Sequence, residues 1–538
     1  MQSKNRFCAM LDCSRNAVMK PEKVKEFAKY LAAFGYNALM LYTEDTYEVE
    51  NEPYFGYMRG RYTIEEVKDI DEYCRGIGIE LIPCIQTLAH LKTIFRWQPY
   101  VSIRDVSDIM FAGEARSYEL LENIFSTLEK CYETRTVHIG MDEARLLGAG
   151  NYFDKHGFEP RFDILKKHLE KVCEIAVKHG FKVIMWSDMF FSLANGGKYY
   201  PEGNERLHID ERVKEYIPDG VELVFWDYYH TEKNIYDRMF DAHEKLTDKT
   251  WFAGGLWTWS GFLPLSNYAL EAMLPAIKSA VEHRIKNVIM TLWGDDGGEC
   301  SAFSALPTLF YLKRVYDGEK NEEIIKSDFN RITGENFDDF MKLSLPNEIC
   351  GEKDTVSNPC KYLLYNDPFI GLFDSTLKDG GKEEYAEFEK TLRNVKSEKF
   401  GYLFECAADI CGVLSVKYDL GARLRKAYKD GDKKTFGIAA AELLIVAEKL
   451  EKFYDSFSFG WYKENKPFGF EVQDARIGGL IKRTHALYKR ARDYLDGKIE
   501  NLPELEEELL DFYGNGKNFE RKFTAFNCWT ENITPGNA

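Results

Sequence analysis

A chain of 538 residues is too long for one ordinary hydrophobic core, so two or three domains are expected. Apolar residues make up 45% and charged residues 30%, and the net charge of −17 disfavours both a nucleic-acid and an anionic-membrane partner. No apolar run approaches the ~18 residues of a membrane span, no signal-peptide core opens the chain, and the 12 scattered cysteines form no CxxC pair; a cytoplasmic location follows as the expectation, with neither disulfide framework nor zinc site.

In chain order, the first ~320 residues alternate short β-branched runs with longer amphipathic stretches, the pattern of a parallel sheet. Strands are predicted at 6–12, 37–43, 80–86, 136–141, 182–187, 222–228, 250–257 and 287–293. Helical patterns such as 22–34, 64–77, 118–132 and 162–179 lie between them, several closed by a glycine (Gly35, Gly78, Gly180). Eight such units predict an α/β fold, a (β/α)8 TIM barrel over residues 1–318, which needs ~250 residues plus insertions. An open doubly wound sheet would want a Gly-rich phosphate loop after its first strand, and none follows Asp12.

Beyond residue 318 the stretches 384–396, 402–428, 436–455 and 474–496 place apolar residues at three- and four-residue spacing. They predict a mostly α-helical C-terminal domain over 319–538. The segment 461–479 is too polar and glycine-rich for a simple helix, and reads as a loop between helices, at the barrel mouth or at a subunit interface.

In such a barrel the reactive groups come from the C-terminal ends of the strands. Those ends carry Asp12-Cys-Ser-Arg15; Thr43-Glu-Asp45; Gln86, with His90 beyond it; His138, Asp142 and Glu143; Trp186 and Asp188; Trp226-Asp-Tyr-Tyr229; Trp257-Thr-Trp259; and Trp293-Gly-Asp295. Five of the nine tryptophans gather there, where indole faces suit sugar rings and charged side chains suit hydroxyls. Asp142-Glu143 stands out, because burying two adjacent carboxylates costs several kcal/mol unless something compensates. A metal-dependent hydrolase of this fold would carry His-x-His on its first strand, and this first strand has no histidine. A phosphate-binding barrel would carry Gly-rich turns after its last strands, where the acidic run Asp295-Asp-Gly-Gly-Glu299 would repel phosphate.

These residues resemble the family 20 glycoside hydrolases, the β-N-acetylhexosaminidases. His138-Ile-Gly140-Met-Asp142-Glu143 is similar to the family's fourth-strand His-x-Gly-x-Asp-Glu, and Asp12-Cys-Ser-Arg15 to its first-strand Asp-x-Ser-Arg. Asp45 falls where the family's second strand ends in an acid, and His90 where the third-strand loop supplies a histidine. Trp293-Gly-Asp295 is similar to the eighth-strand Trp-x-Glu, with Asp in place of Glu. The match spans residues 5–315, and no small α/β domain precedes the barrel, which places the chain near the short bacterial and hexosaminidase-D-like branch.

The resemblance implies an exo-acting, retaining enzyme that removes terminal β-linked N-acetylglucosamine or N-acetylgalactosamine from an oligosaccharide or glycoconjugate, with no cofactor and no metal. It implies substrate assistance, in which the 2-acetamido oxygen attacks C1 and gives an oxazolinium intermediate. Glu143 is then the general acid/base and Asp142 the partner of the acetamido N–H; Asp142 is expected to stay ionised and to raise the pKa of Glu143. Arg15 would hold O3 and O4, Asp295 O4 and O6, and Trp293 would stack below the ring. Trp186, Trp226 and Trp259 would wall the acetamido methyl group. Tyr228 is the candidate donor to the acetamido oxygen, with Tyr229 as the alternative; Asp227 is the nearby acid, although the family places its acid two residues after that tyrosine. His138 is expected to buttress a catalytic acid, and Asp188 reads equally as a site residue or a turn cap. Two other readings stay open: a retaining barrel glycosidase with a carboxylate nucleophile, and a non-catalytic sugar-binding barrel. A homodimer is compatible with the sequence and is not demanded by it.

Overall fold

The computed structural model describes residues 5–200, 209, 211–259, 261–351, 357–512, 514 and 528–536. They group into two compact units: Met1–Leu256, Ala269–Trp293 and Thr308–Ile325 in the first, and Trp257–Tyr268, Gly294–Pro307 and Lys326–Ala538 in the second. The first unit therefore runs past the expected boundary at 318, and the segments that follow its seventh and eighth strands group with the second.

The first unit is built on eight parallel strands: β1 (Arg6–Asp12), β2 (Ala38–Tyr42), β3 (Glu80–Cys84), β4 (Thr136–His138), β5 (Lys182–Trp186), β6 (Glu222–Trp226), β7 (Thr250–Gly255) and β8 (Asn287–Leu292). Each pairs with the next and β8 returns to β1, closing the barrel. Every predicted strand is present, and each stops at or before its predicted end. Helices close in the way their sequences suggest. Pro21–Phe34 begins on proline and ends at Gly35 with φ 88°, and Ile64–Gly76 opens with a Thr63–Glu66 capping box.

Side chains alternate across each strand. Cys8, Met10, Met40, Tyr42, Ile82, Cys84, Ile184, Trp186, Val224 and Ile289 fill the barrel interior. Phe225 and Phe252 point the other way and pack on Phe240 of the outer helix Lys233–Glu244. The register pairs Cys84 with His138 and His138 with Ile184, so His138 also faces inward. The β3–β4 seam is thin, with that single register pair. Beyond it Ile85 N–H donates to the His138 carbonyl at 2.8 Å, and Thr87 Oγ1 to the Ile139 carbonyl at 2.8 Å.

The second unit is helical. Its main members are Gly381–Asn394, Gly401–Lys417, Leu420–Lys429, Lys433–Glu464 and Phe470–Leu495. The predicted helix over 402–428 breaks at Tyr418–Asp419, and the expected loop over 461–479 shrinks to residues 465–469, where Pro467 and a left-handed Gly469 (φ 90°) interrupt two long helices. Inside this unit lies a buried charge cluster. Lys361 Nζ is 2.7 Å from Glu299 and 3.0 Å from Asp296, and Arg476 reaches the same two carboxylates at 3.0 and 2.9 Å. Among the described residues no helix is long and apolar enough to cross a membrane.

Candidate active site

The inward rows of the barrel continue past the strand ends. Asp12, Glu44, Gln86, Asp142, Asp188, Trp226, Tyr228 and Trp293 each lie an even number of residues beyond an inward-facing strand member, which aims them over the barrel mouth. β4 leaves strand geometry to achieve this. Gly140, Met141 and Glu143 all have left-handed backbones, with φ of 71°, 69° and 52°. For the two non-glycine residues that conformation costs ~1–2 kcal/mol each. Partners hold it in place: Met141 N–H donates to Gln86 Oε1 at 3.2 Å, and Glu143 N–H to Asp188 Oδ2 at 3.0 Å. Glycine is required at 140, since a Cβ there would lie 2.1 Å from Gln86 Oε1.

The two adjacent carboxylates occupy different surroundings. Asp142 Oδ1 accepts from Gln86 Nε2 at 2.8 Å, and Oδ2 forms an ion pair with His90 Nε2 at 3.1 Å. Burial works against ionisation of Asp142, but the His90 charge and the bond from Gln86 outweigh it and hold its pKa below the ordinary carboxylate value. Burial likewise disfavours the imidazolium of His90, yet Asp142 and the Glu44 carboxylate carry its pKa up to about 10. Glu143 is the open member of the pair: its side chain is 45% exposed against 14% for Asp142, and His90 Nε2 stands 3.9 Å from its Oε2.

Arg15 sits on the β1 loop, 3.3 Å from Glu44 Oε1 and 3.8 Å from Asp12 Oδ2. Asp12 Oδ1 in turn accepts from the N–H and Oγ of Ser14, which fixes the turn that presents the arginine. On the aromatic side, Trp293 packs edge-on against Tyr42 (4.8 Å between ring centres) and beside Trp186 (6.1 Å). Tyr228 stacks on Trp226 at 5.3 Å and bonds the Trp293 indole, while burial keeps its phenol protonated far above the usual range. Tyr228 thus points inward, and Tyr229 is exposed. His138 lies 4.3 Å from Trp186, and burial lowers its pKa to about 3, so it is neutral. Its Nδ1 accepts the Gly140 N–H at 3.1 Å, which puts the ring proton on Nε2 and makes His138 a brace for the β4 turn. Asp188 is buried, and burial together with the Asp142 charge raises its pKa to about 7.

Trp259 and Asp295 belong to segments of the second unit, where Trp259 is buried and stacked on Trp257 at 4.4 Å and Asp295 is half-buried. Two expected substrate contacts are placed elsewhere. Asp45 is buried, its Oδ1 accepting from Arg59 Nε at 3.3 Å; the acid beside Arg15 and His90 is Glu44. Asp227 is also buried, accepting from Tyr229 N–H at 2.9 Å and engaging His230 Nδ1 at 2.7 Å. Both sit one residue out of phase with the inward rows. The same parity would have singled out Glu44 and Gln86, two residues beyond the inward Tyr42 and Cys84, as members of the site.

Known protein families match both parts of the chain. The family description "Glycosyl hydrolase family 20, catalytic domain" matches residues 8–228, and "Glycoside Hydrolase 20C C-terminal domain" matches residues 338–524. Hexosaminidase D of Bos taurus is 23% identical over 291 residues, covering 51% of this chain and 75% of that protein. Hexosaminidase D of Homo sapiens is 24% identical over 225 residues, 40% of this chain and 43% of that protein. Among solved structures, the GH20 exo β-N-acetylglucosaminidase of Vibrio harveyi aligns with a TM-score of 0.47 at 14% identity, over 64% of this chain and 59% of that one. A left-handed β4 end carrying Asp142-Glu143, faced by His90 and Gln86 within a closed eight-stranded barrel, thus coincides with the catalytic-domain match, and the chain belongs to glycoside hydrolase family 20.

Proposed function

We propose that the protein is an exo-acting, retaining β-N-acetylhexosaminidase that uses substrate assistance. The observation that carries this reading is the division between the adjacent carboxylates. Asp142 is clamped and held ionised by His90 and Gln86, whereas Glu143 is open to the mouth. A clamped anion suits a partner that orients the 2-acetamido N–H and stabilises the positive charge developing on the acetamido group. An open carboxyl suits proton transfer to the leaving oxygen, and later from water. The acetamido oxygen forms the bond to C1 as the glycosidic bond breaks; water then opens the oxazolinium with retention.

The neighbouring acids support the absence of a protein nucleophile. Asp12 bonds Ser14, Glu44 pairs with Arg15, and Asp188 accepts the Glu143 N–H, so each has a structural partner. Arg15 is positioned to bond sugar hydroxyls, while the half-buried Trp226 and Trp293 offer apolar faces above the buried Trp186. Tyr228 keeps its proton and can donate to the acetamido oxygen. The test compares aryl β-glycosides with and without the 2-acetamido group. Only the acetamido substrate should turn over well, and Glu143→Gln and Asp142→Asn should each cut kcat by ~10²–10⁴ with the fold intact. Comparable hydrolysis of an aryl β-glucoside would sink the mechanism.

A further inference from the structure

Outside the pocket, the first unit carries a surface cluster of three aromatic rings, two exposed and one half-buried. Tyr54 and Tyr57 stand on the loop after β2, and Trp97 on the loop after β3; their ring centres are 5.3–5.9 Å apart. Tyr54 and Tyr57 are 42% and 41% exposed, and Met58 beside them is also exposed. Rings left in water on flexible loops would be an aggregation hazard, yet these loops are fastened. Buried Glu52 takes both Arg116 guanidinium N–H groups at 2.8 and 2.6 Å, the Tyr100 hydroxyl at 3.0 Å and Asn123 Nδ2 at 2.9 Å, which ties the two loops to one helix.

The same loop is continuous with the pocket rim. Gly56 packs on the Asp45 carbonyl so closely that a Cβ there would lie 2.1 Å from it, and its φ of 65° is left-handed. Arg59, two residues after Tyr57, bonds Asp45 Oδ1, Asn16 Oδ1 and the Ser14 carbonyl. Ser14 adjoins Arg15, and Asp45 adjoins Glu44. The aromatic faces are therefore held rigidly next to the segments that present Arg15 and Glu44.

Resting on the reading above, we propose that Tyr54, Tyr57 and Trp97 form a stacking platform for a pyranose ring of the substrate other than the one cleaved. Apolar C–H faces of a sugar suit aromatic planes, and the tyrosine hydroxyls supply hydrogen bonds at the edge. Two loops pinned by one carboxylate make the platform preorganised, which limits the ordering cost of binding.

The test measures kcat/KM for chitotriose and for an aryl β-N-acetylglucosaminide in the wild type, Tyr57→Ala, Trp97→Ala and the ring-preserving Tyr57→Phe, with sedimentation to follow the mass. The alanine variants should lose roughly five- to tenfold on chitotriose and stay within about twofold on the aryl glycoside, with Tyr57→Phe close to wild type. Equal losses on both substrates, or no loss on chitotriose, overturn the platform. So does an aryl-active wild type that neither cleaves chitotriose nor is inhibited by it. A change of mass in the variants with chitotriose kinetics unaltered assigns the rings to a contact between copies of the chain and likewise overturns it. A wild type inactive on the aryl glycoside removes the parent reading instead.

Discussion

The ion pair between His90 and Asp142 predicts how the pH profile responds to His90→Gln, which keeps an N–H donor and removes the charge. At 3.1 Å and an effective dielectric near 20, the imidazolium is worth about 5 kcal/mol to ionised Asp142, a ceiling of ~4 pH units. The residual solvent contact of Asp142 trims that ceiling, so Asp142 should titrate higher in the variant, by less than the ceiling. The assay is kcat/KM for an aryl β-N-acetylglucosaminide against pH; its acid limb should move up within that bound. Stability gives a second reading with a definite sign. The folded pKa of His90, about 10, lies above its unfolded value near 6.5. Its contribution is complete below the unfolded value and is lost as pH rises through about 10. The stability gap between wild type and variant should therefore close in alkali, and close again in acid as Asp142 protonates. An acid limb that stays in place while the rate falls equally at all pH would refute the charge argument and leave His90 only a steric role.

Further outcomes follow from other contacts. Asp188, whose folded pKa of about 7 exceeds its unfolded value, contributes most at low pH and loses that contribution as pH rises toward 7; Asp188→Asn should raise Tm by several °C at pH 8 and by little at pH 4, and equal shifts at both would sink the assignment. Gly140→Ala drives a Cβ into Gln86 and should cost ~3 kcal/mol or more in urea unfolding, with loss of turnover even where folding survives. Lys361→Met leaves Glu299 and Asp296 with Arg476 as their remaining cation among the described residues, beside the neutral donors Gln473 and Trp529 N–H, and should cost ~3–5 kcal/mol, read by denaturant midpoint; a neutral result would show the cluster to be solvated.

Much of the fold was legible because a barrel repeats one local signal eight times, and each β-branched run with its following amphipathic stretch votes independently. The helical domain was legible for the same reason, except where one pattern concealed two helices broken at Tyr418 and where the glycines of 461–479 were absorbed into long helices. At the site, residue type pointed to Asp142, Glu143, His90 and Arg15, but type alone could not choose between neighbours. Asp45 and Glu44 are chemically interchangeable on paper; one sits in phase with Tyr42 and one does not. Asp227 fails for the same reason. Arg59 carried no signal, because its partners, Asp45, Asn16 and the Ser14 carbonyl, are brought near only by the folded loop.

The thin β3–β4 seam has a consequence for how the molecule unfolds. Only one register pair joins those strands, and the stitches that continue it are Ile85 on His138, Thr87 on Ile139, Gln86 on Met141 and Asp142, and His90 on Asp142. The bonds that tune the carboxylate are also the bonds that keep the cylinder shut. Local opening at this seam would silence the enzyme before the rest of the barrel notices. Amide hydrogen exchange at Ile85 and Met141, whose N–H groups donate across the seam, should then report loss of catalytic competence at denaturant concentrations where the outer helices remain protected.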